Sequence, residues 1–203
     1  MNRRKFALAS GASLAALALA ACSPKTETPA VASTAPASAA NDSGAPLKPK
    51  DAYDLASKAN GFTIGQMMAA NTVYVFFDPT CPHCAELWGA SKPLLNKLKM
   101  VWIPVGLLRP SSGPQGGTIL SAADPSKAMQ ENEESVLSRG GGITANPSLS
   151  DDIVAKVKAN TDTFTKLGAD SVPLIVFKNA KNGEFGQHAG ALDTAGLAAL
   201  TGI

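Results

Sequence analysis

Two cysteines stand two residues apart in "FFDPTCPHCAELW", residues 76–88, directly behind the apolar run "TVYVFF" of residues 72–77. No other feature limits the fold of this chain as much. An unbroken series of β-branched and aromatic residues reads as a strand buried on both faces, as in the middle of a mixed sheet. Asp78-Pro79-Thr80 ends it, and Pro82 suits the first position of a helix, where its missing N–H and fixed φ cost nothing. Cys81 is therefore expected at a helix N-terminus, with Cys84 one turn deeper and Ala85, Glu86, Leu87 and Trp88 continuing the helix.

That placement has a chemical meaning. A thiol at a helix start faces unpaired backbone N–H groups and the positive end of the helix dipole, which favour its thiolate. Protonated His83 adds a second favourable charge, and such sites bring a cysteine from about 8.5 into the range of roughly 3.5 to 7.5. A drop of about 4 units is about 5 kcal/mol of thiolate stabilisation, which raises a reduction potential by on the order of 100 mV. Cys81-Pro82-His83-Cys84 is thus read as a comparatively oxidising couple, with Cys81 the nucleophile and Cys84 the resolving thiol.

Other uses of the pair fit less well. A structural disulfide across two residues removes little unfolded-state entropy. Structural zinc takes four ligands, and beyond the cysteines only His83 and His188 are at hand. A c-type haem needs histidine directly after the second cysteine, where Ala85 stands. No metal and no cofactor is expected. His188 reads as a scaffold residue, Trp88 as core, and Glu131, Glu133 and Glu134 as a solvated face.

Along the ordered part, residues 51–59 read as a short helix and 62–64 as a short strand. Pro93 is expected to kink the helix that carries the cysteines, and residues 101–108 form a second buried strand. Gly and Ser punctuate residues 111–117; helices are expected near 124–137 and over 148–167, the latter burying Ile153, Val154, Val157, Phe164 and Leu167. Residues 172–177 form a strand, Asn182-Gly183 marks a hairpin into 184–189, and 192–200 closes as a helix. Strand, Cys-x-x-Cys helix, strand, then hairpin and helix is the order of an α/β, thioredoxin-like fold, here with a helical insertion at about 109–168 between the second strand of that unit and the Val172-Pro173 strand.

Residues 1–21 read as an export signal: Arg3, Arg4 and Lys5, then an apolar run too short for a ~30 Å hydrocarbon core. Leu19-Ala20-Ala21-Cys22 resembles a lipobox, which makes Cys22 the lipidated first mature residue and anchors the protein to a membrane. Export by the Sec or the twin-arginine route is left open by "RRKF". Residues 23–50 hold five prolines, seven alanines and no aromatic residue, a composition expected to form a disordered tether of roughly 30 Å or more. The folded domain is placed at 51–203. The whole chain carries a net charge of +2, with 18 basic and 16 acidic residues; loss of the leader's three cations leaves 15 against 16, and with it no electrostatic case for nucleic acid.

From residue 71 to the end the chain resembles the catalytic domain of the periplasmic disulfide isomerase group, the DsbC and especially DsbG type, through "YVFFDPTCPHC", "IPVGLLRP", "ILSAADPSKA" and "LGADSVPLIVF". The resemblance implies that Cys81 attacks, that Cys84 resolves, and that Pro173 is cis and faces the sulfurs, with the Val172 backbone presented to a substrate strand. Asp78 fits that group. Val75 stands where thioredoxin and DsbA types place a buried acid. His83 and Val172 match DsbA-type oxidases better. The group's N-terminal dimerisation domain has no counterpart in residues 23–70, so a monomer is expected. The implied function is periplasmic thiol:disulfide exchange on protein cysteines, with a DsbD- or DsbB-like membrane protein as redox partner. Dithiol oxidation of the DsbA type, and copper binding through Cys81, His83 and Cys84, are the alternatives.

Overall fold

The computed structural model describes residues 47–69 and 71–203. The expected signal at 1–21, Cys22 and the tether up to residue 46 lie outside the described residues. Helix α1 spans Pro49–Ala56, with proline in its first turn, and so starts just ahead of the expected tether end at residue 50. Its buried side is Ala52 and Ala56. Tyr53 lies edge-on to Tyr74 and Phe185, both at 5.1 Å, and its hydroxyl donates to Thr72 O at 2.9 Å.

Five strands form one mixed sheet: β1 (Phe62–Gly65), β2 (Thr72–Phe77), β3 (Lys99–Pro104), β4 (Leu174–Lys178) and β5 (Phe185–Ala189), in the order β1-β3-β2-β4-β5. β2 is central, parallel to β3 and antiparallel to β4, and Val73, Val75, Phe76 and Phe77 are fully buried. Helix α2 (Pro82–Ser91) connects β2 to β3, followed by a 3-10 turn at Lys92–Leu94 where Pro93 interrupts it. An edge-to-face chain of rings, Phe62, Phe77, Trp102 and Trp88, links β1, β2, β3 and α2 at 6.4, 5.7 and 5.1 Å. Such pairs add about 1 kcal/mol each beyond the area they bury.

Between β3 and β4 lie three helices, α3 (Ser112–Ser121), α4 (Pro125–Leu137) and α5 (Asp151–Lys166), so the inserted helical region is found within the expected bounds. No helix was singled out for its first part, where Gly and Ser punctuate residues 111–117 and α3 is found. The glycines serve packing instead: a Cβ on Gly116 would stand 2.9 Å from the Pro104 ring and one on Gly117 2.8 Å from Leu149. α3 can therefore approach β3 and α5 closely only with bare backbone at those positions. α4 and α5 are capped as helix starts demand, Asp124 accepting from Lys127 N at 3.0 Å and Ser150 from Ile153 N at 3.5 Å. Asn160 of α5 accepts from Asn60 N and donates to Asn60 O and Pro104 O, fastening α5 to the ends of β1 and β3. Val154, expected on the buried side of α5, is half exposed and lines a surface hollow with Pro114, Leu149 and Val157. Helix α6 (Thr194–Thr201) closes the chain, and Gly202 ends it in the left-handed conformation at φ 74°. No helix among the described residues is long and apolar enough to cross a membrane.

One expected strand is shorter than its apolar run. β3 stops at Pro104, Val105 N still donates to Phe77 O, and Gly106, Leu107 and Leu108 leave the sheet. The N–H groups of Leu107 and Leu108 go to a side chain instead, which belongs to the site.

Candidate active site

Cys81 is the N-cap of α2, with φ −88° and ψ 116°; its carbonyl accepts from Cys84 N at 3.1 Å and from Ala85 N at 3.3 Å. The turn into it is held by Asp78, a fully buried carboxylate. Oδ1 of Asp78 accepts from Thr80 N at 2.9 Å and from the Thr80 and Ser112 hydroxyls at 2.8 Å each; Oδ2 accepts from Leu107 N and Leu108 N at 2.9 Å each. Five donors from three segments thus converge on one group. A buried charge persists when its lone pairs are all engaged. The result ties the end of β2, the loop after β3 and the start of α3 together directly before Cys81.

The two sulfurs are free thiols. Cys81 is 4 % exposed and Cys84 fully buried, while Pro82 and His83 face solvent. The Val172-Pro173 peptide bond is cis, and the Cys81 thiol donates to Val172 O with Sγ 3.7 Å from the oxygen. Cys81, Pro82, His83, Cys84, Val172 and Pro173 therefore share one small region, although 91 positions separate Cys81 from Val172. Cys22 lies outside the described residues. His188 sits on β5 opposite Ile175, apart from this group. Trp88 packs in the core, its Nε1 donating to Gln130 Oε1 of α4 at 2.7 Å.

The electrostatics separate the thiols. Cys81 is lowered to about 6, chiefly because the Cys84 thiol donates to its thiolate, with further help from the N–H groups of Cys84 and His83 and last from the His83 charge; burial opposes the shift. Cys84 is pushed well above the ordinary thiol value by burial, and further by its bond to Cys81. His83 is raised by its hydrogen bond with Glu86, Nδ1 to Oε2 at 2.9 Å, a pair in solvent. His83 thus contributes less than its place in the motif implies, and the neighbouring thiol contributes more. At pH 7 a thiol of about 6 gains about 1.4 kcal/mol over an ordinary one, worth about 30 mV. Accordingly, Cys84→Ala is expected to raise the Cys81 value markedly and His83→Gln only slightly. Thiolate absorbance followed through an acid titration reads both, and a larger effect from His83→Gln would contradict this order.

One acid was misread as solvated. Glu131 and Glu134 are exposed, but Glu133 is 1 % exposed, and burial raises its carboxyl to about 8. The signal was present: Met129, Glu133 and Val136, at spacings of four and three, share the inner face of α4. Asn132 beside it donates Nδ2 to Pro79 O at 2.8 Å and accepts from Ile143 N at 3.0 Å. Nothing in the chain marked Thr80 and Ser112 as partners of Asp78. Among the described residues no three His, Cys, Asp or Glu side chains converge as a metal site.

A thioredoxin family model matches residues 57–141. The chain is 29% identical over 142 residues to the thiol:disulfide interchange protein DsbG of Pseudomonas aeruginosa, covering 68% of this chain and 54% of that protein. It is 30% identical over 122 residues to DsbG of Escherichia coli, covering 58% of this chain and 48% of that one. The chain therefore spans about half the length of these relatives. Among solved structures, the catalytic domain of Proteus mirabilis ScsC superposes with a TM-score of 0.58 at 20% identity, over 75% of this chain and 93% of that domain. The fold is thioredoxin-like.

Proposed function

We propose, from the premise of a thioredoxin domain with two unequal thiols at a helix start, that this chain is a thiol:disulfide oxidoreductase acting on protein cysteines through Cys81 and Cys84. The observation that carries the reading is the split between the sulfurs: Cys81 lowered to about 6 and covered by the Val172 carbonyl, Cys84 buried beneath it and held protonated. At neutral pH one is nucleophile and the other is reserve.

The steps follow from that split. The Cys81 thiolate attacks one sulfur of a substrate disulfide; a Cys81–substrate disulfide forms, the substrate S–S bond breaks, and the other substrate sulfur leaves as thiolate. Cys84 then attacks Cys81 Sγ, the internal disulfide forms, and the second substrate thiolate departs. Two electrons pass from the pair to the substrate, and the reverse sequence oxidises a dithiol. Pro82 gives the helix its start and His83 adds charge at the rim. Val172 and Pro173 offer backbone to an extended substrate segment beside the sulfur.

The expected setting is the periplasm, with Cys22 lipidated and the tether, placed at residues 23–50 from the sequence, leading into α1. A membrane protein of the DsbD or DsbB kind would reset the couple. The potential decides the direction: a couple kept reduced in cells acts as reductase or isomerase, and one kept oxidised acts as a dithiol oxidase. Equilibrating the protein in glutathione buffers and counting alkylated thiols is expected to show one reversible two-electron transition of Cys81 and Cys84, together with insulin reduction. Stoichiometric copper after native purification and no such transition would favour the metal-carrying alternative and sink this one.

A further inference from the structure

Resolution of the mixed disulfide poses a proton problem. Cys84 attacks as thiolate, yet burial holds its proton firmly, and no solvent reaches the sulfur. Some buried group must take that proton, and the second strand offers none, since Val75 is apolar and fully buried.

α4 supplies one. It packs across α2 with Met129, Asn132, Glu133 and Val136 inward. The Asn132 bond to Pro79 O pins the helix to the turn that leads into Cys81, and the next residue, Glu133, is buried on the helix that packs against α2, with no direct hydrogen bond to either sulfur among the described residues. Its Oε1 has a long contact of 3.4 Å with Asn132 Nδ2, and its Oε2 has no hydrogen-bond partner among the described residues. It forms no ion pair among them. A carboxyl buried in this way does not stabilise a fold, because apolar packing of the same volume would do better. The ionisable groups that act on it are Cys81, from the start of α2, and Asp78, from the end of β2; it acts in turn on Cys84. All are acids, so a negative charge on any one of them favours protonation of the others.

We propose that Glu133 is the proton-exchanging residue of the Cys81–Cys84 couple: its carboxylate takes the Cys84 proton as Cys84 attacks the mixed disulfide, and its carboxyl returns it when the disulfide reopens. The balance closes without a further reactant. Cys84 thiol, Glu133 carboxylate and the Cys81–substrate disulfide become the internal disulfide, Glu133 carboxyl and a substrate thiolate. The internal S–S bond forms as the mixed one breaks, and the electrons leave with the substrate sulfur. The charge state of Cys81 sets the timing. While Cys81 is thiolate, its charge helps hold the proton on Glu133, raised to about 8; once Cys81 is bonded to substrate that charge is gone, and Glu133 becomes a carboxylate more readily, ready to accept.

The proposal rests on the exchange function above, and the two steps of that exchange are measured separately. Rapid mixing with a fluorescent disulfide peptide gives the rate at which the mixed disulfide forms and the rate at which Cys84 resolves it. In the native protein the second rate is expected to fall as pH drops below a midpoint somewhat under 8. Glu133→Gln is expected to slow resolution at pH 7 by on the order of 100-fold and to abolish that midpoint, with the first step affected far less. An unchanged pH profile in Glu133→Gln, or equal slowing of both steps, overturns the proposal; absence of any mixed disulfide in the native protein overturns the function itself. A second measurement needs no variant. The infrared band of the protonated Glu133 carboxyl, followed against pH in the native protein, is expected to titrate at lower pH in the oxidised than in the reduced form. Identical titrations in the two redox states also overturn the proposal.

Discussion

Cys81→Ser is expected to reduce disulfide exchange to the uncatalysed background, whereas Cys84→Ser is expected to retain attack and accumulate a stable mixed disulfide with substrate. The difference comes from the two environments. With Cys81 lowered to about 6, about nine-tenths of it is thiolate at pH 7, against a few per cent of an ordinary cysteine. A serine hydroxyl in the same place does not ionise there and cannot form an S–S bond, so both attack and storage of electrons end. Cys84 is not needed for attack, only for release. Its substitution leaves the substrate held on Cys81, and a gel under non-reducing conditions would show the adduct. The rate of attack has its own pH dependence: a lowered thiol is active above its own value, so attack is lost as pH falls through about 6 and is flat from about 7 upward. Attack that kept rising to pH 9 would mean that Cys81 is an ordinary thiol.

Asp78→Ala is expected to cost about 4 kcal/mol of stability, the range for breaking one partner out of a buried charged network. It strands the N–H groups of Thr80, Leu107 and Leu108, while the Ser112 and Thr80 hydroxyls, 3.3 Å apart, keep each other as partners. A domain of this size would lose on the order of 10 °C in Tm. Asp78→Asn is the informative companion. Its remaining oxygen can keep the Thr80 and Ser112 bonds, but its amide cannot accept from Leu107 and Leu108, so about half the loss is expected, confined to the loop after β3. Thermal unfolding with hydrogen exchange at residues 106–108 separates the cases. Equal effects of the two substitutions would show that the loop bonds carry the whole network.

How much of this was legible in the chain depends on the range of the interactions that decide it. β2 and the start of α2 were plain, because a run such as Thr72–Phe77 and a proline at the first helical position are local signals. The hairpin through Asn182-Gly183 was plain for the same reason. α3 was not. Its glycines break helices in isolation, and only the nearness of Pro104 and Leu149 explains why they stand there. The overrun of β3 to Leu108 has a similar origin, since leucines favour continuation and the carboxylate that captures their N–H groups lies about 30 positions earlier. Motif and resemblance single out the cysteines, Pro82, His83, Val172 and Pro173, and the structure places these residues together. Glu133 was missed because two exposed acids flank its segment and charge was weighed before periodicity. Its place on the Met129–Val136 face was the better guide.

The carbonyl that lies against the Cys81 sulfur arrives 91 residues later in the chain, beyond all three inserted helices. Closing a loop of that length costs about 4 kcal/mol of entropy, and it cannot begin until β4 exists. During synthesis the Cys81 sulfur therefore emerges before the segment that covers it. Shielding of Cys81 by the Val172 carbonyl is thus among the last contacts that a growing chain can make.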